Sequence, residues 1–344
     1  MPKTRESGGR NICLIRLSAI GDVVHTVAVV RALQTAYPGA RLTWIVGRVE
    51  AEIAALVPDI EVVAVDKRRP LAELRRLRRE WADRRFDALL LLQTALRANL
   101  FALAVRAPLR VGFDRERAQE LHGCFINRRI PSAPPPGEHV LDGLLRFPIA
   151  LGASVGPLRW DLRLPAADQA WAADLLPPGP PVIALSPCAS HALRDWPVER
   201  FVAVRDFARQ RGWRVVMCGG RSSREEEAAA RLRAPDDAGV IDVVGQTTLP
   251  QLAAVFARCA ALVSPDSGPV HLAAAVGLPV VALFAVSNLQ RTGPYLDRRW
   301  SVDRRDAAAR ALLGRPASAL GWRERVAHPA AMTFIEVEAV EERL

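Results

Sequence analysis

NICLIRLSAIGDVVHTVAVVRALQTAYPGARLTWIV, residues 11–46, reads as strand, helix and strand in turn. Asn11–Leu17 is a short apolar run of the kind a buried strand makes. Asp22–Ala36 carries its apolar residues at helical spacing and stops before Pro38-Gly39, a helix-ending pair. Leu42–Val46 is the next apolar run. Two such runs joined by a helix form a parallel pair, because parallel strands need a long crossover. Phe86–Leu92 continues the rhythm. It restarts at Val182–Ser186, just after the Pro-rich stretch Pro177–Pro181. From there the reading is helix Pro197–Gln210, strand Arg214–Cys218, helix Arg224–Leu232, helix Leu249–Arg258, strand Ala261–Ser264, helix Gly268–Val276 and strand Pro279–Phe284. The expected fold class is α/β, two Rossmann-like parallel-sheet halves joined near residues 155–180. Phe334–Leu344 reads as a terminal helix.

The chain has 344 residues and half of them are hydrophobic, enough for two cores. The formal charge is +10. That balance favours an acidic partner, and a GC-rich genome, which enriches Arg, accounts for it equally well. The five cysteines form no CxxC pair, and their odd number argues against a disulfide framework. The six histidines show no zinc-ligand spacing, so no protein-held metal is expected. No signal-peptide core follows the basic start MPKTRESGGR. The most lipid-like stretch, Phe86–Val105, is broken by Gln93, Arg97 and Asn99. A cytoplasmic protein, at most peripheral to a membrane, is the expectation.

Ligands of doubly wound sheets bind beyond the carboxyl ends of the strands. Three motifs fall at such ends. The first runs from Arg16 through Ser18 and Gly21 to Asp22. Asp22 is placed either to cap the following helix or to act as a general base, and spacing does not separate the two. GxGxxG is absent. The second motif is Ser186-Pro-Cys-Ala-Ser190-His-Ala-Leu-Arg194-Asp-Trp-Pro197. Arg194 supplies a planar cation that suits phosphate oxygens, and Ser190 a hydroxyl. Its alternative is a solvated loop. The third is Ser264-Pro-Asp266-Ser267-Gly268-Pro-Val-His271, a strand end entering a helix whose first N–H groups suit an anion. Here the alternative is capping by Asp266 or Ser267, with His271 in the core. Asn288–Tyr295 is a polar loop able to close the same pocket.

SAIGDVVHT (18–26), SPCASHALRDWP (186–197), SPDSGPVHLAAAVGLPVVALF (264–284) and QRTGPY (290–295), in this order, resemble glycosyltransferase family 9, the heptosyltransferases, and in particular heptosyltransferase I-like members. The resemblance covers nearly the whole chain. It implies a GT-B fold, with two Rossmann-like domains facing a central cleft, and inverting transfer of heptose from ADP-heptose without metal or other cofactor. The implied acceptor is Kdo-lipid A or the inner core of lipopolysaccharide, at the cytoplasmic face of the inner membrane. It implies an acceptor-binding domain over 1–164, a nucleotide-sugar-binding domain over 165–330 and a terminal helix over 331–344. Asp22 then stands as catalytic base. Ser190, Arg194, Glu225, Asp266, Ser267, Gly268 and His271 stand on the donor side, and Arg16, Ser18 and His139 on the acceptor side. Two positions depart from the family: Cys188 replaces a usual Gly, and Gly143 stands where an Arg is common.

Residues 67–85, KRRPLAELRRLRREWADRR, hold nine Lys and Arg. Leu71, Leu74, Leu77 and Trp81 form one helical stripe, so most of the charges read as a solvated face. Lys67, Arg68 and Arg69 follow a strand and, by the resemblance, face an acidic acceptor, with the remaining charges suited to an anionic leaflet. Three rivals stay open. One is a family member using another nucleotide sugar. Another is a catalytically silent binder. The third, a nucleic-acid-binding protein, has no recognised motif here and only two Tyr for stacking; no nucleic-acid partner is expected.

Overall fold

The computed structural model describes residues 9–233 and 239–344; the basic start, residues 1–8, lies outside them. The chain divides into two compact units, residues 1–163 and 164–344. In the first unit the strands are β1 (Asn11–Ile15), β2 (Arg41–Gly47), β3 (Ile60–Val65), β4 (Ala88–Leu91), β5 (Leu109–Gly112) and β6 (Arg128–Arg129). Its helices are α1 (Ile20–Ala36), α2 (Ala51–Ala54), α3 (Pro70–Glu80), α4 (Leu96–Phe101) and α5 (Val140–Ala150). The sheet order is β3-β2-β1-β4-β5-β6, every pair parallel.

The second unit repeats that plan. Its strands are β7 (Val182–Leu185), β8 (Arg214–Met217), β9 (Val240–Asp242), β10 (Ala261–Pro265), β11 (Val280–Phe284) and β12 (Val302–Asp303). They run β12-β11-β10-β7-β8-β9, again all parallel. The helices are α6 (Ala166–Leu175), α7 (Val198–Gln210), α8 (Ser223–Leu232), α9 (Leu249–Phe256), α10 (Gly268–Ala275), α11 (Leu289–Thr292), α12 (Arg305–Leu313) and α13 (Val337–Glu341). Both sheets have the doubly wound order, and each reverses direction beside its first strand.

Alternation along the central strands decides the layers. Cys13 and Ile15 of β1 join Leu89 and Leu91 of β4 in one core, beneath Leu74 and Leu77 of α3 and Ala98 and Phe101 of α4. Ile12 and Leu14 point the other way, and α1 and α5 pack together there. In the second unit Ile183, Leu185, Val263 and Leu283 meet Phe201 and Val204 of α7, Ala308 of α12 and Val340 of α13. The end of the chain is therefore a short helix docked on this core, with a 3₁₀ turn, Ala331–Phe334, before it.

One local expectation gains its bounds and another changes. The strand expected ahead of Lys67 is Ile60–Val65; it lies at the sheet edge, half-exposed, with Glu61 bonded to Thr43 at 2.8 Å. Leu71 does not join the buried stripe of Leu74, Leu77 and Trp81. Pro70 opens α3, so Leu71 lies in its first turn and overhangs the sheet, 56% exposed.

The segment leaving β5 is tied down by one buried histidine. His122 Nε2 accepts from the Phe113 amide at 3.0 Å, which leaves Nδ1 to donate to Asn99 Oδ1 at 2.9 Å. Burial, helped by the charge of Arg129, pushes His122 down to about 4 from an ordinary value near 6.5. The folded protein resists protonation that the unfolded chain accepts. The contribution of His122 is therefore complete above pH 6.5 and is lost as pH falls toward 4. Denaturant titrations should show wild type losing up to ~3 kcal/mol more than His122→Gln over that interval. Parallel acid limbs for the two proteins would contradict it.

Candidate active site

The first sheet reverses between β1 and β4, and the chain leaving β1 crosses that point. Arg16 donates to the Leu92 carbonyl at the end of β4 and is ion-paired with Asp22. The Leu17 amide donates to Gln93 Oε1 at 2.8 Å. Asp22 is the third residue of α1, which begins after Ala19. Its carboxylate accepts from the Ala19 amide at 3.4 Å, a long contact for a cap. The side chain keeps 31% of its surface exposed. Asp22 is thus oriented by a guanidinium and keeps part of its carboxylate open to solvent.

Lys67 stands at the carboxyl end of β3 and Glu50 after β2, and the two form an ion pair. Glu50 is 5% exposed, and sequence reasoning gave it no role. A Cβ on Gly47 would lie 2.4 Å from Glu50 Oε2 and 2.6 Å from the Leu17 carbonyl oxygen. Only glycine lets the carboxylate sit beside the chain that leads to Ser18. Arg68 and Arg69 are exposed at the start of α3.

His139, which the resemblance sets near the acceptor side, stands at the start of α5. It is 3% exposed and caps α5, with Nδ1 accepting from the Leu141 amide at 3.1 Å. Its ring meets His25 edge to face. The missing arginine at position 143 has a counterpart in space. Arg117 Nη1 lies 2.6 Å from where a Gly143 Cβ would stand, and Arg117 bridges Asp114 and Glu138.

The second sheet reverses between β7 and β10, and the two motifs following those strands meet there. Arg194 Nη1 pairs with Asp266 at 3.0 Å, and Nη2 donates to Ser190 Oγ at 2.6 Å. Thr292 Oγ1 reaches Asp266 at 3.4 Å, so the loop after β11 closes on the same group. Arg194 and Asp266 keep only 12% and 9% of their side-chain surface. Asp266 is therefore not a cap. Ser267 holds the position before α10 without capping it; its hydroxyl meets Ser264 Oγ at 2.9 Å. The first amides of α10 are left to point past Gly268. His271 is buried on α10, three residues in from Gly268.

Glu225 sits in the first turn of α8 and accepts from the Gly220 and Ser222 amides, fixing the turn after β8. Two further residues hold the loop carrying Ser190 and Arg194. Asp195 accepts from the Ala189 amide at 2.7 Å and pairs with Arg224, while Arg224 also donates to the Ala189 carbonyl at 2.9 Å. Burial raises Asp195, opposed by that amide and by the Arg224 charge. Cys188 donates to the Arg224 carbonyl at 3.6 Å, and burial pushes its thiol up to about 12. It is packing in the place of a glycine, not a nucleophile. Asp195 lay inside a motif that drew notice for Arg194, and Arg224 carried no signal.

Two doubly wound units, each with polar loops gathered where its sheet reverses, place the protein among the two-domain α/β proteins. Residues 74–313 match the model of glycosyltransferase family 9 (heptosyltransferase), and the chain belongs to that family. It is 35% identical over 333 residues to the lipopolysaccharide core heptosyltransferase OpsX of Haemophilus influenzae, covering 96% of this chain and 95% of the relative. Among solved structures, a family 9 glycosyltransferase from Veillonella parvula superposes with a TM-score of 0.77 at 22% identity, over 97% of this chain and 95% of that one. The Escherichia coli heptosyltransferase WaaC with ADP-2-deoxy-2-fluoro heptose gives 0.73 at 22% identity, over 96% and 98%. The fold is GT-B.

The Gly47 contact has a consequence that can be measured. Gly47→Ala must displace Glu50 from Lys67 or shift the backbone at Leu17, a change of the overpacking kind that costs ~1–3 kcal/mol. An earlier thermal transition is expected. Melting together with wild type would mean that the pair yields freely.

Proposed function

We propose that this protein is an inverting heptosyltransferase that moves heptose from ADP-heptose to the Kdo-bearing inner core of lipopolysaccharide. The observation that carries this reading is the Arg194–Asp266 pair at the reversal of the second sheet, beside the open amino end of α10. A nucleoside diphosphate sugar needs both kinds of group. Its leaving diphosphate gains charge that Arg194 and the helix amides can stabilise, and its sugar hydroxyls can donate to Asp266. Ser190, Glu225, Ser267, Gly268 and His271 complete the donor side.

The acceptor side is the first unit. An acceptor hydroxyl attacks the anomeric carbon from the face opposite the leaving group. The new C–O bond forms as the bond to phosphate breaks, ADP departs with the electron pair, and Asp22 takes the hydroxyl proton. A single displacement of this kind inverts the anomeric centre. Arg16 holds Asp22, Ser18 lies on the same turn, and Lys67, Arg68 and Arg69 supply cations for an acidic sugar. No helix among the described residues is long and apolar enough to cross a membrane. A cytoplasmic protein meeting the inner membrane peripherally accords with that.

Asp22→Asn should lower turnover roughly 10²–10⁴-fold, the usual worth of a general base, with ADP affinity intact by calorimetry. Near wild-type turnover would leave Asp22 a helix-end residue only. Arg194→Ala should weaken ADP binding roughly tenfold or more, since a charged hydrogen bond is lost. Arg68→Ala with Arg69→Ala should instead raise the acceptor KM. Equal loss of ADP affinity in both sets would overturn the division of donor from acceptor.

A further inference from the structure

The turn leaving β5 holds two consecutive non-glycine residues in the left-handed region, Glu120 at φ 48° and Leu121 at φ 61°. That conformation is costly for residues with a Cβ and persists only where surroundings enforce it. Here they do. The Glu120 carboxylate accepts from the Leu96 amide at the start of α4, and Asn99 Nδ2 donates to the Glu120 carbonyl at 3.0 Å. Asn99 is itself held by His122. This network fixes an apolar side chain in solvent: Leu121 is 70% exposed.

Leu121 has company. Leu96, beside the amide that Glu120 binds, is 40% exposed, and Leu71 in the first turn of α3 is 56% exposed. The two helices pack together, and both start at the carboxyl edge of the sheet. Arg97 and Arg115 are exposed next to Leu96 and within the turn. Neither is ion-paired among the described residues, in contrast to Arg117 and Arg76 nearby. Three exposed leucines beside two unpaired guanidinium groups, opposed by the exposed carboxylate of Glu116, match the boundary of an anionic bilayer, which takes apolar tips and basic charge together. A protein partner for three leucines would be expected to supply an apolar groove, and the surrounding arginines would then gain nothing.

We propose that Leu121, Leu96 and Leu71, with Arg97 and Arg115, form a docking rim that seats the first unit on an anionic phospholipid surface. The rim adjoins Arg68 and Arg69, so docking would deliver a lipid-anchored acceptor to the residues assigned to it. It rests on the reading that the acceptor is held in a bilayer.

The test is co-sedimentation of the whole chain, without substrate, on phosphatidylethanolamine–phosphatidylglycerol vesicles and on phosphatidylcholine vesicles. Wild type should bind the first and not the second. Leu121→Asn is the informative variant, because asparagine tolerates the left-handed region and the turn survives. It should weaken vesicle binding roughly tenfold with no fall in melting temperature. Arg97→Gln with Arg115→Gln should weaken it up to roughly thirtyfold. Heptose transfer to a deacylated, soluble acceptor should be unchanged in these variants, while transfer to acceptor embedded in vesicles slows. Wild type that ignores anionic vesicles, or variants that bind as wild type does, would overturn the rim. So would sedimentation analysis showing that Leu121→Asn merely dissociates a dimer. Failure of wild type to use even the soluble acceptor would instead count against the functional reading, and the vesicle result would stand apart from it.

Discussion

A parallel strand cannot turn back on its neighbour; it must travel across the sheet through a helix before the next strand begins. Where successive crossovers leave by opposite faces, as beside β1 and again beside β7, the loops diverge and open a crevice at the carboxyl edge. The candidate site residues gather at those two divergences. Arg16 and Asp22 occupy the first, and Arg194 and Asp266 the second. Because the two units share one strand order, they present their polar loops in equivalent ways. The loops themselves differ in chemistry, a guanidinium with an open carboxylate in the first unit and a buried pair in the second.

At both points a cation is already matched with a carboxylate. The Lys67–Glu50 pair follows the same pattern beside the first. A partly buried charge left alone carries a heavy desolvation cost, so pairing is what allows these side chains to wait in place. It also sets a condition on binding. A phosphate that takes Arg194 must compete with Asp266, and a ligand offering hydroxyl donors can compensate that carboxylate at the same time. Such a site favours a molecule carrying both groups over one carrying phosphate alone.

Much of this could be read in the sequence because its signals are local. The strand–turn–helix junctions at Asp22 and Asp266 are contiguous stretches in which polar residues interrupt apolar runs, and the structure brings Ser190, Arg194, Asp266 and Thr292 together as that patterning suggested. What stayed hidden depends on partners distant in the chain. Glu50 gains meaning only beside Lys67, Asp195 only beside Arg224, and Arg117 only because Gly143 leaves room for its guanidinium. His139 shows the same dependence, since its cap to Leu141 and its contact with His25 follow only from the packing. The bounds of the edge strand β3 are harder to read because an exposed edge does not demand an unbroken apolar run.

The cysteines differ sharply in their setting. Burial drives the Cys13 and Cys218 thiols far up, and Cys188 and Cys259 up to about 12, so none of these four offers appreciable thiolate near neutrality. Cys124 is exposed, two residues beyond His122 and three beyond Leu121. A maleimide or a nitroxide reagent added to the unaltered protein would therefore mark that turn selectively. The molecule comes with its own reporter, positioned to register by fluorescence or spin relaxation whatever approaches this edge of the first sheet.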